Sequence, residues 1–293
     1  MMPNNSNPYH VQLEDCITHM STMPAASMDM SVFSPPFPAL YAYTSESCDI
    51  GNSEDMKGEA KIHLSYFYRQ LARILKPGRV VVVHVMQLPR MKRTGGVGLF
   101  DFRGFNIRLG ERAGLVYEYD WLVRKNPQAQ AIRTKARELQ FSGLESDRAK
   151  QRGTLGDYLI KFRAPGDNEV RIDTPNQVTR NQWISWAESC WGDIKETNTL
   201  NVSEGRGKDD TKHICPLQLD VIERLIKLYS NPGEIVFSPF TGIGSEGYVA
   251  LKLGRLFYGC EIKQEYHAAA VRNLQRAIHE SGESQLSMFP AKA

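Results

Sequence analysis

No apolar run in this chain approaches the roughly 20 residues that a membrane-spanning helix needs, so no transmembrane segment and no membrane partner are expected. The first residues, Met1 to His10, are polar and carry proline, unlike a secretory leader. Cysteine is sparse. Cys16, Cys48, Cys190, Cys215 and Cys260 lie far apart, with no close pair of the kind that binds zinc. Reduced thiols in a cytoplasmic protein are the expectation. The histidines (His10, His19, His63, His84, His213, His267 and His279) fall at no ligand-like spacing, so no metal is expected. A strong excess of one charge is missing too. The net charge of +3 permits nucleic-acid binding without demanding it, so the placement of the positive residues matters more than their number. What is present is 41% hydrophobic residues, ample for a packed core. A length of 293 residues suits one large α/β domain with an insertion, or two small domains.

Two well-patterned ends flank a less regular, basic middle. Met28 to Phe33 reads as a short buried strand, halted by Ser34-Pro35-Pro36-Phe37. Lys57 to Leu75 has apolar residues at helical spacing (Ile62, Leu64, Phe67, Leu71, Ile74, Leu75). Lys76-Pro77-Gly78 then predicts a turn into the β-branched run Val80 to Val85, the pattern of a strand buried on both faces. The last part alternates in the same way. A helix is predicted over Pro216 to Tyr229, a strand over Glu234 to Phe237 and a helix over Glu246 to Leu253. A strand over Leu256 to Cys260 and a final helix over Gln264 to His279 follow. Strand, helix and strand with short joints imply a parallel sheet with right-handed crossovers. In the middle, Gly114 to Val123 and Tyr158 to Phe162 look like strands. From Pro165 to Lys212 there is little periodicity, although Trp183, Trp186 and Trp191 argue for ordered packing. No internal repeat is found.

Two motifs carry chemistry. The first is Ser238-Pro239-Phe240-Thr241-Gly242-Ile243-Gly244-Ser245, after a strand and opening a helix. Gly242 and Gly244 allow tight backbone geometry and close approach of a ligand, and the helix start offers unpaired amides. The next strand ends at Glu261, where nucleotide-binding α/β folds place an acid for ribose hydroxyls. A lone Gly-x-Gly is most often a structural turn; strand, turn, helix, strand and carboxylate together are more specific. The second motif is Ser34-Pro35-Pro36-Phe37. Its plain reading is a proline-stiffened loop, yet it suits methylation of a base's exocyclic amine. Such an amine is a poor nucleophile because its lone pair is delocalised into the ring. Acceptors on Ser34 and the Pro35 carbonyl can hold both amine hydrogens, the prolines pre-set the loop, and Phe37 can stack on an extruded ring.

The pair resembles the amino-methylating DNA methyltransferases, whose catalytic loop reads (Asp/Asn/Ser)-Pro-Pro-(Tyr/Phe) and whose cofactor loop reads near Asp-Pro-Phe-x-Gly-x-Gly. With the catalytic loop first, the order is similar to the circularly permuted β group. Glu14-Asp15-Cys16 stands at the family's Gly-Asp-Cys, Leu75-Lys76-Pro77-Gly78 is typical, and so are Trp121 to Asn126, Tyr158 to Arg163, and Lys212-His213 with Pro216. The resemblance implies a Rossmann-like, circularly permuted S-adenosylmethionine-dependent fold with a small inserted recognition region. The implied parts are a catalytic half over 8–164, a target-recognition insert over 165–212, a cofactor half over 213–280 and a flexible tail over 281–293. It implies catalytic Ser34, Pro35, Pro36 and Phe37, and S-adenosylmethionine held by Asp15, Cys16, Ser238, Phe240, Gly242, Gly244, Ser245 and Glu261. Ser-Pro-Pro goes more often with cytosine N4 than with adenine N6. Two residues depart from the pattern: Ser238 replaces the usual aspartate and Glu14 a glycine.

Double-stranded DNA is the implied partner. Basic residues crowd the middle: Arg90, Lys92, Arg93, Arg103, Arg108, Arg124, Lys125, Arg133, Lys135, Arg137, Arg148, Lys150, Arg152, Lys161 and Arg163. Singly they are ordinary surface charges; as a group they suit phosphate contacts, with Arg133, Lys135 and Arg137 foremost. Base-reading candidates are Asn176, Gln177, Arg180, Asn181 and Gln182. The tail Gln285-Leu286-Ser287-Met288-Phe289 resembles the peptide by which bacterial proteins dock on the sliding clamp. Other classes are methylation of RNA or protein, and a non-catalytic DNA-binding relative. Protein glutamine methyltransferases usually place Asn-Pro-Pro-Tyr after the cofactor loop, the reverse of the order here.

Overall fold

The β-branched and apolar runs of the sequence become neighbouring strands of one sheet. In chain order the strands are β1 (Tyr9–Leu13), β2 (Met28–Phe33), β3 (Leu75–Met86), β4 (Leu88–Pro89) and β5 (Leu99–Phe100). They are followed by β6 (Val116–Val123), β7 (Asp157–Arg163), β8 (Cys190–Trp191), β9 (Ile235–Ser238) and β10 (Leu256–Glu261). The helices are α1 (Cys16–Thr22), α2 (Glu59–Ile74), α3 (Phe102–Arg112), α4 (Pro127–Thr134), α5 (Arg180–Trp186), α6 (Leu219–Tyr229), α7 (Ser245–Lys252) and α8 (Gln264–Met288). The computed structural model describes residues 2–38, 44, 48–53, 58–90, 98–134, 145, 153–201 and 216–288, the side chains of 131–134 and 282–288 excepted.

Among the described residues, eight strands form the main sheet in the order β1-β10-β9-β2-β3-β7-β6-β8. The first five are parallel; β7 runs antiparallel between β3 and β6. Helices cover both faces. Period two in β3 sends Val81, Val83 and Val85 into the core shared with α1, α2 and α3, and Val80 and Val82 into the core with α6, α7 and α8. Val221, Ile222, Leu225 and Ile226 of α6 are fully buried, each stabilising the fold by about 1.5–3 kcal/mol.

Several expectations need correction. Lys76-Pro77-Gly78 is no separate turn: β3 starts at Leu75, and the irregularity is a register shift against β2 between Met28 and Met30. The bulge stands beside Asp29, whose buried carboxylate accepts from the Ile235 amide and meets Lys76 and Arg79. The helix expected from Pro216 begins at Leu219. Patterning alone missed β1, α1 and α3. Residues 281–288, expected to be flexible, continue α8 to Met288. Ser, Glu, Gln and Leu tolerate a helix, and the single Gly282 penalises one by only about 1 kcal/mol. Within the stretch 165–201, β8 pairs with β6. Trp191 and Trp186 are buried there, with the Arg224 guanidinium 5.1 and 5.4 Å from their rings; Trp183 is exposed instead. Cys16, Cys48, Cys190 and Cys260 form no disulfide with one another, and Cys215 lies outside the described residues. No helix among the described residues is long and apolar enough to cross a membrane.

Candidate active site

The sheet order reverses between β9 and β2. The β2–α2–β3 unit steps toward one edge and the β9–α7–β10 unit toward the other, so the loops leaving β2 and β9 diverge and open a crevice. In open parallel sheets ligands bind at such a switch point, beyond the carboxyl ends of the strands. Both motifs lie there. Ser34, Pro35, Pro36 and Phe37 leave β2, and the glycine loop leaves β9; both line one cavity. Asp15 and Cys16, after β1, and Glu261, ending β10, line the same cavity, as do Phe240, Gly242 and Ser245.

Two of the expected residues act from outside that lining. Ser238 is fully buried as the last residue of β9, and its carbonyl accepts from Thr241 Oγ1 at 3.1 Å. Gly244 caps α7 with φ +89°. A Cβ there would stand 3.1 Å from the Ala270 backbone, so glycine lets α7 approach α8. Phe240 lines the cavity but anchors the loop, its ring 5.0 Å from Phe67 and 5.8 Å from Phe33. Phe37 is half-buried, edge-on to Phe102 at 5.8 Å.

Glu261 is buried. One of its oxygens accepts from the Gly242 amide at 2.7 Å and the other from the Lys263 amide at 2.9 Å. Burial pushes its carboxyl up to about 7, against the pull of those backbone amides. Asp15 caps α1, accepting from the Thr18 amide at 2.8 Å. Burial raises the thiols of Cys16 and Cys260, so Cys16 serves as wall rather than nucleophile.

Some residues at the site carried no sequence signal. Asp49 and Ile50 enter the cavity wall from a short 3₁₀ turn, and the Asp49 carboxylate accepts from the amides of Thr44 and Gly51 at 2.7 and 2.8 Å. Glu246, in the first turn of α7, lines the cavity while buried, and desolvation raises its carboxyl to about 8. His84, at the end of β3, bonds Ser34. Only its place beyond the valine run pointed to it.

The basic group is dispersed by pairing. Arg103 bonds Asp120, Lys161 and Arg163 both bond Glu118, and Lys125 is buried against Asp157. Arg108 lies 3.8 Å from Asp101, and Arg124 bonds the Gly192 carbonyl. Among the described residues, these pairs join elements of the fold. Arg133 lies on α4, with nothing described of its side chain; Lys92, Arg93, Lys135, Arg137, Arg148, Lys150 and Arg152 lie outside the described residues, as do Lys212 and His213. Three base-reading candidates are likewise engaged. Gln182 completes a capping box with Thr179, Asn176 donates to Asp173, and Gln177 donates to the carbonyls of Asp173 and Ser230. Arg180 and Asn181 are exposed at the start of α5, with Trp183 and Ile184 exposed beside them.

Comparison with known proteins agrees with this geometry. The DNA methylase family profile matches residues 28–272. A segment of 54 residues is 48% identical to the type II methyltransferase M1.MboII of Moraxella bovis, covering 18% of this chain and 21% of that one. A segment of 63 residues is 44% identical to the DNA adenine methyltransferase YhdJ of Escherichia coli, covering 22% of this chain and 21% of the relative. These matches thus span about a fifth of the length of such relatives. Among solved structures, the cytosine-N4-specific PvuII DNA methyltransferase superposes with a TM-score of 0.66 at 17% identity, covering 96% of this chain and 93% of that one. TTHA0409 of Thermus thermophilus, complexed with S-adenosyl-L-methionine, gives 0.68 at 18% identity, covering 92% and 94%. With its profile match running through both motifs and its fold shared across nearly the whole chain, this protein belongs to the N6/N4 DNA methylase family.

Proposed function

We propose that this protein is an S-adenosylmethionine-dependent DNA methyltransferase acting on the exocyclic amine of an extruded base, cytosine N4 in preference to adenine N6. The observation that carries the proposal is the convergence of the Ser-Pro-Pro-Phe loop and the glycine loop, remote in sequence, on one cavity at the switch point.

The residues present fit the cofactor. Ser245 Oγ, in the cavity lining, is buried without a hydrogen-bond partner among the described residues, a rare condition that calls for a polar ligand or water. The Glu261 carboxylate meets the backbone amides of Gly242, Ile262 and Lys263 and keeps acceptor capacity for a ribose hydroxyl. Asp15 and Asp49 stand on the same rim, and Ile50, Leu217 and Ile262 offer apolar walls for a purine. Bound there, S-adenosylmethionine supplies an electrophilic methyl group on sulfur. Ser34 Oγ and the Pro35 carbonyl hold the amine hydrogens, and Phe37, braced by Phe102, stacks on the extruded ring. Ser34 in place of an acid supports cytosine through the family resemblance.

Incubating the protein with tritiated S-adenosylmethionine and unmethylated genomic DNA should place label on an amino-methylated nucleoside, identified by mass spectrometry. Cofactor binding with no label on DNA would turn the assignment toward RNA or protein, and no cofactor binding toward a non-catalytic DNA-binding relative. Arg180 and Asn181, exposed on α5, are the base-reading residues proposed first. Arg180→Ala should weaken binding to a substrate duplex by about 5–100-fold and leave cofactor affinity unchanged; an unaltered Kd for DNA would remove α5 from the interface.

The tail retains its proposed role as a sliding-clamp peptide in a bacterial or phage-encoded cytoplasmic enzyme. Gln285, Leu286, Ser287 and Met288 form the end of α8, and Phe289 lies outside the described residues. Deleting Gln285 to Phe289 should abolish binding to a purified clamp while sparing methylation; binding that survives the deletion refutes the docking peptide.

A further inference from the structure

His84 stands where β3 ends, between the Ser-Pro-Pro loop and the antiparallel half of the sheet. Its Nδ1 lies 3.2 Å from Ser34 Oγ. Its Nε2 lies 2.8 Å from Asp157 Oδ2 on β7, and the same Asp157 oxygen is 2.6 Å from Lys125 Nζ just beyond β6. The three side chains are largely shielded from water, at 13, 10 and 6% exposure. His84 pairs with Leu159, and Asp157 pairs with Met86 two positions along, so His84 and Asp157 are diagonal neighbours on one face of the antiparallel ladder. Register therefore sets their contact.

Burial works to raise the Asp157 carboxyl. The charges and hydrogen bonds of His84 and Lys125 more than offset it, so Asp157 is held below the usual carboxylate range and is an anion at neutral pH. An anionic acceptor on Nε2 keeps a proton on that nitrogen and turns the Nδ1 lone pair toward Ser34. Ser34 Oγ also lies 3.2 Å from the His84 carbonyl, so its hydroxyl hydrogen has two acceptors on the same residue. A histidine that only tied β3 to β7 would need Asp157 alone. The bond onward to a serine in the cavity wall has no such use.

We infer that His84 is a positioning residue that takes up, through Ser34, the proton shed by the amine, with Asp157 orienting its imidazole. This rests on the amino-methylation reading above. The amine nitrogen forms a bond to the methyl carbon as the carbon–sulfur bond breaks, and that electron pair stays on sulfur. The nitrogen then carries one hydrogen too many. That proton passes to Ser34 Oγ as the serine proton passes to His84 Nδ1, leaving a neutral methylated amine and an imidazolium facing the Asp157 carboxylate. Solvent removes the proton before the next turnover. No oxidant or further reactant is required. The charged groups facing His84 among the described residues are Asp157 from β7 and Lys125 from the end of β6.

The test is single-turnover methyl transfer by the full-length protein, with cofactor and DNA affinities measured in parallel. His84→Gln should slow the chemical step by about 10²–10³-fold and leave both affinities near those of the parent. The parent rate should climb with pH to a plateau; the variant should lose that limb. Asp157→Asn should slow the step less and shift the limb. Because Ser34 and His84 act in one path, Ser34→Ala combined with His84→Gln should be little slower than Ser34→Ala alone. A His84→Gln variant within threefold of the parent rate, or retaining the parent pH limb, would overturn the inference while amino-methylation stood. Failure of the parent to methylate DNA would instead remove the underlying function. A variant that loses cofactor and DNA binding together has failed to fold; the Asp157→Asn pH profile then decides, an unshifted limb overturning the inference.

Discussion

Ser34→Ala should slow methyl transfer by about 10²–10³-fold, the size of effect seen when one preorganised polar group is taken from a transition state. S-adenosylmethionine and DNA affinities should stay within about threefold of the parent, because the loop is shaped by Pro35 and Pro36 rather than by the serine side chain. Among the described residues, the two contacts of Ser34 Oγ, to the His84 carbonyl and His84 Nδ1, are both long at 3.2 Å. Losing them should destabilise the fold by no more than about 1 kcal/mol. The deficit should therefore appear in the single-turnover rate and not in the thermal midpoint. A variant that transfers methyl groups at the parent rate would show that the Pro35 carbonyl and the ring of Phe37 suffice to hold the amine. The serine would then be a remnant of loop geometry.

Glu246→Gln should stabilise the cofactor-free protein at alkaline pH. Glu246 is 5% exposed, and desolvation raises its carboxyl from 4.5 to about 8. An acid that binds its proton more tightly when folded weakens the fold as pH rises from its unfolded value toward its folded one. The penalty is thus absent near pH 4.5, grows through neutrality and is complete above about pH 8. Glutamine has nearly the same shape and no charge to bury. The variant should match the parent at pH 4.5 and exceed it by about 2–5 kcal/mol at pH 9, which calorimetry or urea titration at both pH values will measure. Equal stability at pH 9 would mean that the carboxylate finds hydration in the cavity.

Ser238 and Glu246 are related in this light. The family's usual aspartate at the first position would add a carboxylate at the end of β9. Here that position holds a buried hydroxyl with no hydrogen-bond partner among the described residues, and Glu246 stands in the first turn of α7.

What the sequence determined by itself was local. Strand β2 ends at Phe33, where its apolar run meets Ser34-Pro35-Pro36, and β9, α7 and β10 fall within a residue or so of their expected limits. In each case a run of one periodicity is stopped by proline or glycine, and such signals need no distant partner. Both motifs were legible for the same reason, since each is a short loop whose chemistry resides in adjacent residues. Strand β1 was not legible, because an edge strand of five residues, half polar, gains its identity only by pairing with β10. Gly78 looked like a turn but serves a bulge, which needs β2 alongside to exist. The carboxylates that pair with Arg103, Lys161 and Lys125 could not be read from the sequence, because β6 and β7 bring Glu118, Asp120 and Asp157 against them. The capping box that Gln182 makes with Thr179 appears only once α5 forms. His84, Asp157 and Lys125 meet only because β7 returns antiparallel beside β3 with Asp157 in register near its end. Patterning chooses elements through neighbours a few residues apart, whereas the site depends on strand order and register, which are settled by burial between residues far apart in the chain.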